Sequence, residues 1–322
     1  MSPNVVTCVY AIALLFALFD HSASQPVLTH RGFMLDTARC FFPKSRIKLM
    51  LDMMKNASMN VFHWHMTDNE GFRIQWNRDN GALSSHYVPD IYSHAEIKEI
   101  IDYAQARGID VIPEIDSPAH VYPFSLEYPE CMLQGEPDNF ELSTSPDVND
   151  LRWDLFHEIY PNFTSKYVHF GHDEIGNRAT EVQKSLDFVQ TVAQSLHRRP
   201  IIWNDPITRQ GLAVSRNFTI QAWKGDAASM QSILSAGYQT IISDWNYWYV
   251  GSGGSGPNGW YTYPASSYVF PTHNTSSIIG AELCWWTEEA DNGNQDLAWL
   301  HDAMMIAGKT MWCYKNPSCN PA

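Results

Sequence analysis

The sequence predicts a (β/α)₈ TIM barrel forming a single catalytic domain. Three observations point there. Eight short apolar runs are spaced along 322 residues, helical periodicity fills most of the gaps, and polar or aromatic residues gather just beyond the runs. Alternating strands and helices indicate parallel βα units, and eight such units close as a barrel. A doubly wound sheet is the alternative, but no glycine-rich phosphate loop follows the first strand.

The strands expected, in order, are GFMLD (32–36), NVFHWHM (60–66), DVIPEID (110–116), YVHFG (167–171), IIWND (201–205), TIQAW (219–223), TIISD (240–244) and IIGAELCW (278–285). Residues 44–57 repeat apolar side chains at helical spacing. Residues 93–108 open on Ser93 with Glu96 three positions on, a capping box, and close on Gly108. Residues 181–199 and 296–308 are further helical stretches. The segment GSGGSGPNG (251–259) is expected as a loop after the seventh strand, not as a domain boundary.

The formal charge of −14, with no Lys/Arg run, excludes the basic footprint that nucleic acid or an anionic membrane requires. Residues 5–19 are uncharged and apolar, the length of a signal-peptide core, and HSAS follows. The expectation is a leader at 1–24 and a catalytic domain at 25–322, with a signal anchor as the alternative. No later segment is long enough to span a membrane. Four acceptor triplets, at Asn56, Asn162, Asn217 and Asn274, agree with the secretory pathway. Outside the leader stand five cysteines, an odd number, so at least one is unpaired. Cys313 and Cys319 lie close enough to form a disulfide.

Barrel active sites lie at the carboxyl ends of the strands. Those ends here carry His65 and Asp68, Asp116 and His120, Asp173 and Glu174, Trp203 and Asp205, Trp223, Asp244 and Tyr247, and Trp286 and Glu288. The adjacent Asp173 and Glu174 are the central pair. Like charges in one site push pKa values apart, so one carboxyl can serve as an acid while the other stays ionised. The bland reading makes one a helix cap and the other a surface charge. His63 and His65 share one strand face, which suits either a hydrogen-bonded core pair or metal ligands completed by Asp116, His120 and Asp173.

RGFMLDTARCFFP (31–43), NVFHWHMTDNEGFRI (60–74), VIPEIDSPAH (111–120), VHFGHDEI (168–175) and ELCWWTE (282–288) resemble, in order, the motifs of glycoside hydrolase family 20, the β-N-acetylhexosaminidases. The resemblance implies exo-acting removal of terminal β-linked GlcNAc or GalNAc from glycans or chitooligosaccharides, without metal or cofactor. It implies a substrate-assisted retaining mechanism in which the 2-acetamido oxygen is the nucleophile, an exception to the two-carboxylate rule. On this likeness Glu174 is the acid and base, Asp173 orients the acetamide and stabilises the oxazolinium, and His120 tunes Glu174. Arg31 and Glu288 would hold sugar hydroxyls. Trp203, Trp223 and Trp286 would wall the acetamide pocket, and Tyr247 would hydrogen-bond the acetamide oxygen. The destination implied is extracellular or lysosomal, with a homodimer compatible.

The chain departs from the family pattern. Gly is usual where His172 and Ala119 stand, and Tyr-x-Asp is here Tyr247-Trp248-Tyr249. The α/β domain that commonly precedes the barrel is not expected, because Arg31 follows the leader almost directly. His172 and Tyr249 therefore favour one rival, a catalytically impaired amino-sugar binder. A barrel metallohydrolase using His63 and His65 is the other.

Overall fold

In the computed structural model, residues 28–133, 142–225, 227–250, 265–288, 290, 296–316 and 319 are described. The expected leader and the 251–259 loop lie outside them. All eight expected strands are present: β1 (His30–Asp36), β2 (Val61–His65), β3 (Asp110–Glu114), β4 (Tyr167–His169), β5 (Arg199–Trp203), β6 (Thr219–Ala222), β7 (Gln239–Ile242) and β8 (Ile278–Trp285). Each pairs in parallel with the next, and β8 returns to β1, closing the barrel.

The longer helices are α1 (Lys44–Asn56), α2 (His94–Gln105), α3 (Pro146–Ile159), α4 (Ala179–Ser195), α5 (Ala227–Ser235) and α6 (Ala298–Trp312). The capping box at the start of α2 is made on both sides: Ser93 accepts from the Glu96 amide, and Glu96 accepts from the Ser93 amide. Helices α3 and α5 escaped the sequence reading. In α3 the buried stripe Val148, Leu151, Leu155, Phe156 and Ile159 is interrupted by a buried Arg152, which blurs the apolar face. Cys313 and Cys319 form a disulfide after α6, whereas Cys40, Cys131 and Cys284 are buried and stand outside it. Among the described residues, no helix is long and apolar enough to cross a membrane.

The main core fills the space between strands and helices. Two smaller clusters lie apart from it. One joins Val61, Ile112, Ile201 and Ile241 from the strands, and the other joins Met34, Trp203, Trp223, Tyr249 and Cys284. Between these sits a buried polar layer. Glu282 faces His30 Nε2 at 2.5 Å and His63 Nδ1 at 2.9 Å, and accepts from Gln221 at 2.7 Å. Glu114 faces His65 Nδ1 at 2.5 Å and His169 Nδ1 at 2.8 Å, and accepts from the Trp203 indole at 2.9 Å. Gly32 makes room for this layer, because a Cβ there would lie 2.3 Å from Glu282 Cγ. Buried charges are tolerable only when paired and hydrogen-bonded, as these are.

The layer makes stability depend on pH. Burial opposes the charge on His63, but Glu282 and Glu114 outweigh it and raise its pKa to about 9. A histidine raised above its unfolded pKa stabilises the fold fully below about pH 6.5 and loses that contribution as pH climbs to the folded value. A rise of this size corresponds to roughly 3 kcal/mol. The melting temperature is therefore expected to fall between pH 6.5 and 9, with a flatter profile in His63→Gln. Parallel profiles in the two proteins would remove His63 as the cause.

Candidate active site

The carboxyl ends of the strands enclose a pocket of about 520 Å³ that opens to solvent. It is lined by Arg39, Asp68, His120, Asp173, Glu174, Trp223, Tyr249, Trp286 and Glu288.

The two carboxylates ride on a contorted turn after β4. Gly171, His172 and Glu174 all have left-handed backbone, at φ of 67°, 72° and 52°. The turn is pinned at two amides. Asp116 Oδ1 accepts from the His172 amide at 3.3 Å, and Asp205 Oδ1 accepts from the Glu174 amide at 3.2 Å. The result separates neighbours in sequence into different surroundings. The Asp173 side chain is only 13% exposed and that of Glu174 is 44% exposed.

His120 stands between them. Its Nε2 lies 3.7 Å from Asp173 Oδ2 and 3.8 Å from Glu174 Oε2, while its Nδ1 lies 3.4 Å from Asp68 Oδ1. Burial opposes protonation of His120, but Asp68 and Asp173 overcome it and hold the imidazole charged. Burial raises Asp173 to about 7, with Asp205, Glu114 and Glu174 adding to the rise and His120 opposing it. Asp116 is pushed well above the usual carboxylate range by burial and by Asp173, which favours its protonated form. Asp173 Oδ1 is buried without a hydrogen-bond partner. Such an acceptor costs free energy until a donor reaches it.

The walls are aromatic. Trp223 and Tyr249 lie parallel, 5° apart with centroids at 6.2 Å, and Tyr249 is 5.8 Å from Trp286. The Trp223 indole donates to Asp205 Oδ2 at 2.7 Å, so Asp205 braces both a wall and the turn. Arg39 lies over Trp286 at 5.3 Å and pairs with Asp68 at 2.9 Å and Glu70 at 2.9 Å. Burial disfavours its charge, but Asp68, Asp36, Glu70 and Glu288 raise its pKa well above the ordinary value.

Several residues singled out by sequence reach the pocket: Asp173, Glu174, His120, Trp223, Trp286 and Glu288. Three do not line it. Arg31 lies at the amino end of β1, opposite the active end. Its guanidinium donates to the carbonyls of Ser58 and Leu28, both at 2.8 Å, and covers Trp312. Arg39, eight residues later and beyond the strand, is the arginine in the pocket. Tyr247 falls in the helical turn Trp245–Trp248 and packs its ring on Tyr268 at 5.3 Å. Tyr249 takes the wall position instead. Trp203, 1% exposed, lies beneath Trp286 at 6.0 Å as part of the floor.

The metal-ligand pattern built on His63 and His65 is also corrected. Both are buried inside the barrel, and each has both ring nitrogens within 3.0 Å of carboxylate oxygens. The carboxylates raise both imidazoles above their ordinary pKa, and a protonated ring has no lone pair for a cation. Donor atoms do cluster within 4.8 Å in His63, Glu114 and His169, and in Asp68, Asp116 and His120. The first group contains a histidine so committed. In the second, burial and Asp173 raise Asp116, and Asp68 and Asp173 raise His120, both shifts that favour the proton over a metal.

The difference between floor and wall is measurable. Trp203→Ala is expected to destabilise the barrel by about 3–5 kcal/mol, as large aromatic truncations in cores do. Trp223→Ala is expected to weaken an N-acetylglucosamine-type inhibitor at least tenfold with a smaller change in melting temperature. Equal losses of stability in both variants, with inhibitor affinity intact, would contradict this division.

Paired carboxylates, a bridging histidine and an aromatic wall at the mouth of a (β/α)₈ barrel define the layout of a barrel glycosidase. The model of glycosyl hydrolase family 20, catalytic domain, matches residues 28–193 and 176–313, and the chain belongs to that family. Beta-hexosaminidase subunit A1 of Dictyostelium discoideum is 29% identical over 90% of this chain and 60% of its own. Chitooligosaccharidolytic beta-N-acetylglucosaminidase of Bombyx mori is 29% identical over 84% of this chain and 55% of its own. Among solved structures, the GH20 exo-beta-N-acetylglucosaminidase of Vibrio harveyi in complex with N-acetylglucosamine superposes with a TM-score of 0.76 at 20% identity. That match covers 90% of this chain and 55% of the other. The chain thus spans little more than half the length of these relatives.

Proposed function

We propose that the protein is an exo-acting β-N-acetylhexosaminidase that removes terminal β-linked GlcNAc or GalNAc by a substrate-assisted retaining mechanism. The observation that carries this reading is the unlike pair of neighbours. Asp173 offers a buried, unpartnered oxygen beside an aromatic wall, while Glu174 stands at the mouth.

An acetamide fits that wall. Trp223, Tyr249 and Trp286 exclude water from its methyl group, and Asp173 accepts its N–H. The acetamide oxygen is then held against the anomeric carbon. Glu174 protonates the departing glycosidic oxygen as the C1–O bond breaks and the acetamide oxygen bonds to C1. The positive charge of the oxazolinium develops beside Asp173. Glu174, now a carboxylate, takes a proton from water as that water attacks C1 and reopens the ring. His120, held by Asp68, supplies a fixed positive charge to both carboxylates. Arg39, which lies over Trp286, and Glu288 line the same pocket and can hydrogen-bond sugar hydroxyls.

The impaired-binder reading loses its two supports. His172 does not line the pocket, and Tyr249 forms its wall. The test is turnover of nitrophenyl β-N-acetylglucosaminide and β-N-acetylgalactosaminide by the purified chain. Cleavage of at least one, inhibited competitively by N-acetylglucosamine, is expected. Inhibitor binding without cleavage would return the binder. Passage through the secretory pathway is part of the same proposal, supported by the leader pattern and the acceptor triplets.

A further inference from the structure

His172 occupies a backbone position, φ 72°, that disfavours an L side chain by about 1–2 kcal/mol. A histidine persists there because its ring is engaged. It is fully buried, with Nδ1 3.1 Å from the Phe170 carbonyl and Nε2 2.9 Å from Ser185 Oγ on α4. Ser185 Oγ in turn lies 2.9 Å from Arg152 Nη2 on α3. The guanidinium can only donate, so Ser185 accepts from Arg152. The Phe170 carbonyl can only accept, so Nδ1 carries a ring hydrogen. A neutral ring then accepts at Nε2 the hydrogen of Ser185.

Arg152 is unusual in its own right. It is fully buried, and among the described residues no carboxylate forms an ion pair with it. Its remaining contacts are Asn149 Oδ1 at 3.2 Å and the face of Phe188 at 4.6 Å. The charged or titratable groups around the His172 ring are Arg152 and His169, with Asp116 at its backbone. Burial, and then the Arg152 charge, hold His172 down to about 3, so the ring is neutral, with its hydrogen on Nδ1 toward the Phe170 carbonyl.

We propose that Arg152, Ser185 and His172 form a strut that fixes the 171–174 turn to α3 and α4, making His172 a positioning residue for the reaction. The amide bonds from Asp116 and Asp205 hold the turn toward the barrel. The ring of His172 holds it from the helical layer. Asp173 follows directly on the residue clamped from both sides. A reacting geometry misplaced by about 1 Å can cost 10²-fold in rate, so loosening this clamp acts on kcat more than on ground-state binding. The inference rests on the proposed hydrolase activity.

The experiment compares the full chain with Ser185→Ala, His172→Gly and the double variant. Glycine accepts the left-handed backbone without strain, so His172→Gly removes the ring while easing the turn. On nitrophenyl β-N-acetylglucosaminide each single variant is expected to lose about tenfold or more in kcat with KM within about twofold. The double variant is expected to be no worse than His172→Gly alone, because the residues act as one unit. A purely structural role would lower the melting temperature and leave kcat intact in the folded protein, and that result overturns the proposal. So do losses that multiply in the double variant. Two readouts need no turnover, so they still test the strut if the wild-type chain proves inactive. Imidazole ¹⁵N NMR should show His172 neutral and protonated on Nδ1 from pH 5 to 9. Ser185→Ala should speed amide hydrogen exchange at His172 and Glu174. Titration of His172 near its ordinary pKa, or unchanged exchange in the variant, refutes the strut.

Discussion

Glu174→Gln is expected to lower kcat by about 10² to 10⁴-fold on a β-linked N-acetylglucosamine disaccharide, the range typical of general acid–base catalysis. The substitution keeps the shape of the side chain and removes only its ability to give and take a proton. Glu174 is placed for that task. Its amide is held by Asp205 at 3.2 Å, its carboxylate lies 3.8 Å from His120 Nε2, and nearly half of its side chain faces the open pocket. On the proposed reading sugar binding rests on Arg39, Glu288 and the aromatic wall, so KM should move little. A nitrophenyl glycoside, whose leaving group needs no proton, should lose less than the disaccharide. Comparing kcat for the two substrates in both proteins separates the proton from any general damage. A disaccharide rate equal to wild type would exclude Glu174 as the acid.

The strands and the candidate pair of carboxylates were legible because each rests on local chemistry. Apolar runs of strand length between helical repeats define a barrel, and the barrel assigns chemistry to one end of its strands. The misses came from facing and register. Arg31 carries the motif's first arginine, but it begins β1 and so lies at the wrong end. Arg39 follows Asp36, the last residue of that strand, and the same end rule points to it. Tyr247 and Tyr249 differ by two positions, which in a strand would leave them on one face. The intervening helical turn Trp245–Trp248 breaks that parity, sending Tyr247 onto Tyr268 and Tyr249 into the pocket. Trp203 stands one layer too deep because β5 ends on it, with its indole hydrogen turned down to Glu114. His63 and His65 share a face as expected, but their partners come from β3, β8 and the loop carrying Asp68, which no local pattern reveals. His172 departed from the family pattern without a visible reason until α3 and α4 supplied one.

A β-glucoside with the same leaving group as a good β-N-acetylglucosaminide is expected to be cleaved at least 10³-fold less efficiently in kcat/KM. An ordinary retaining glycosidase holds its acid and its nucleophile about 5 Å apart across the scissile bond. Here the candidate carboxylates are consecutive residues on one turn. Asp173 is drawn down toward Asp116 and His120 while Glu174 faces outward. Such a pair cannot flank a bond from opposite sides. In the proposed mechanism an intramolecular acetamide oxygen supplies the nucleophile at an effective concentration of roughly 10⁵–10⁸ M. In that mechanism, removing it deletes the first chemical step, not one contact. Asp173→Asn should then slow cleavage about 10²-fold or more with little change in substrate binding, because its charge matters most when the oxazolinium forms. A thiazoline that mimics the cyclic intermediate should bind wild type at least 10²-fold more tightly than N-acetylglucosamine, as analogues of high-energy species do. That advantage should shrink in Asp173→Asn. The acid limb of kcat/KM should follow Asp173, whose carboxyl must lose its proton to stabilise positive charge. Burial places that loss near pH 7 in the free protein, so activity rises with pH through this range. Similar kcat/KM for glucoside and N-acetylglucosaminide would defeat substrate assistance and require a protein nucleophile elsewhere in the pocket.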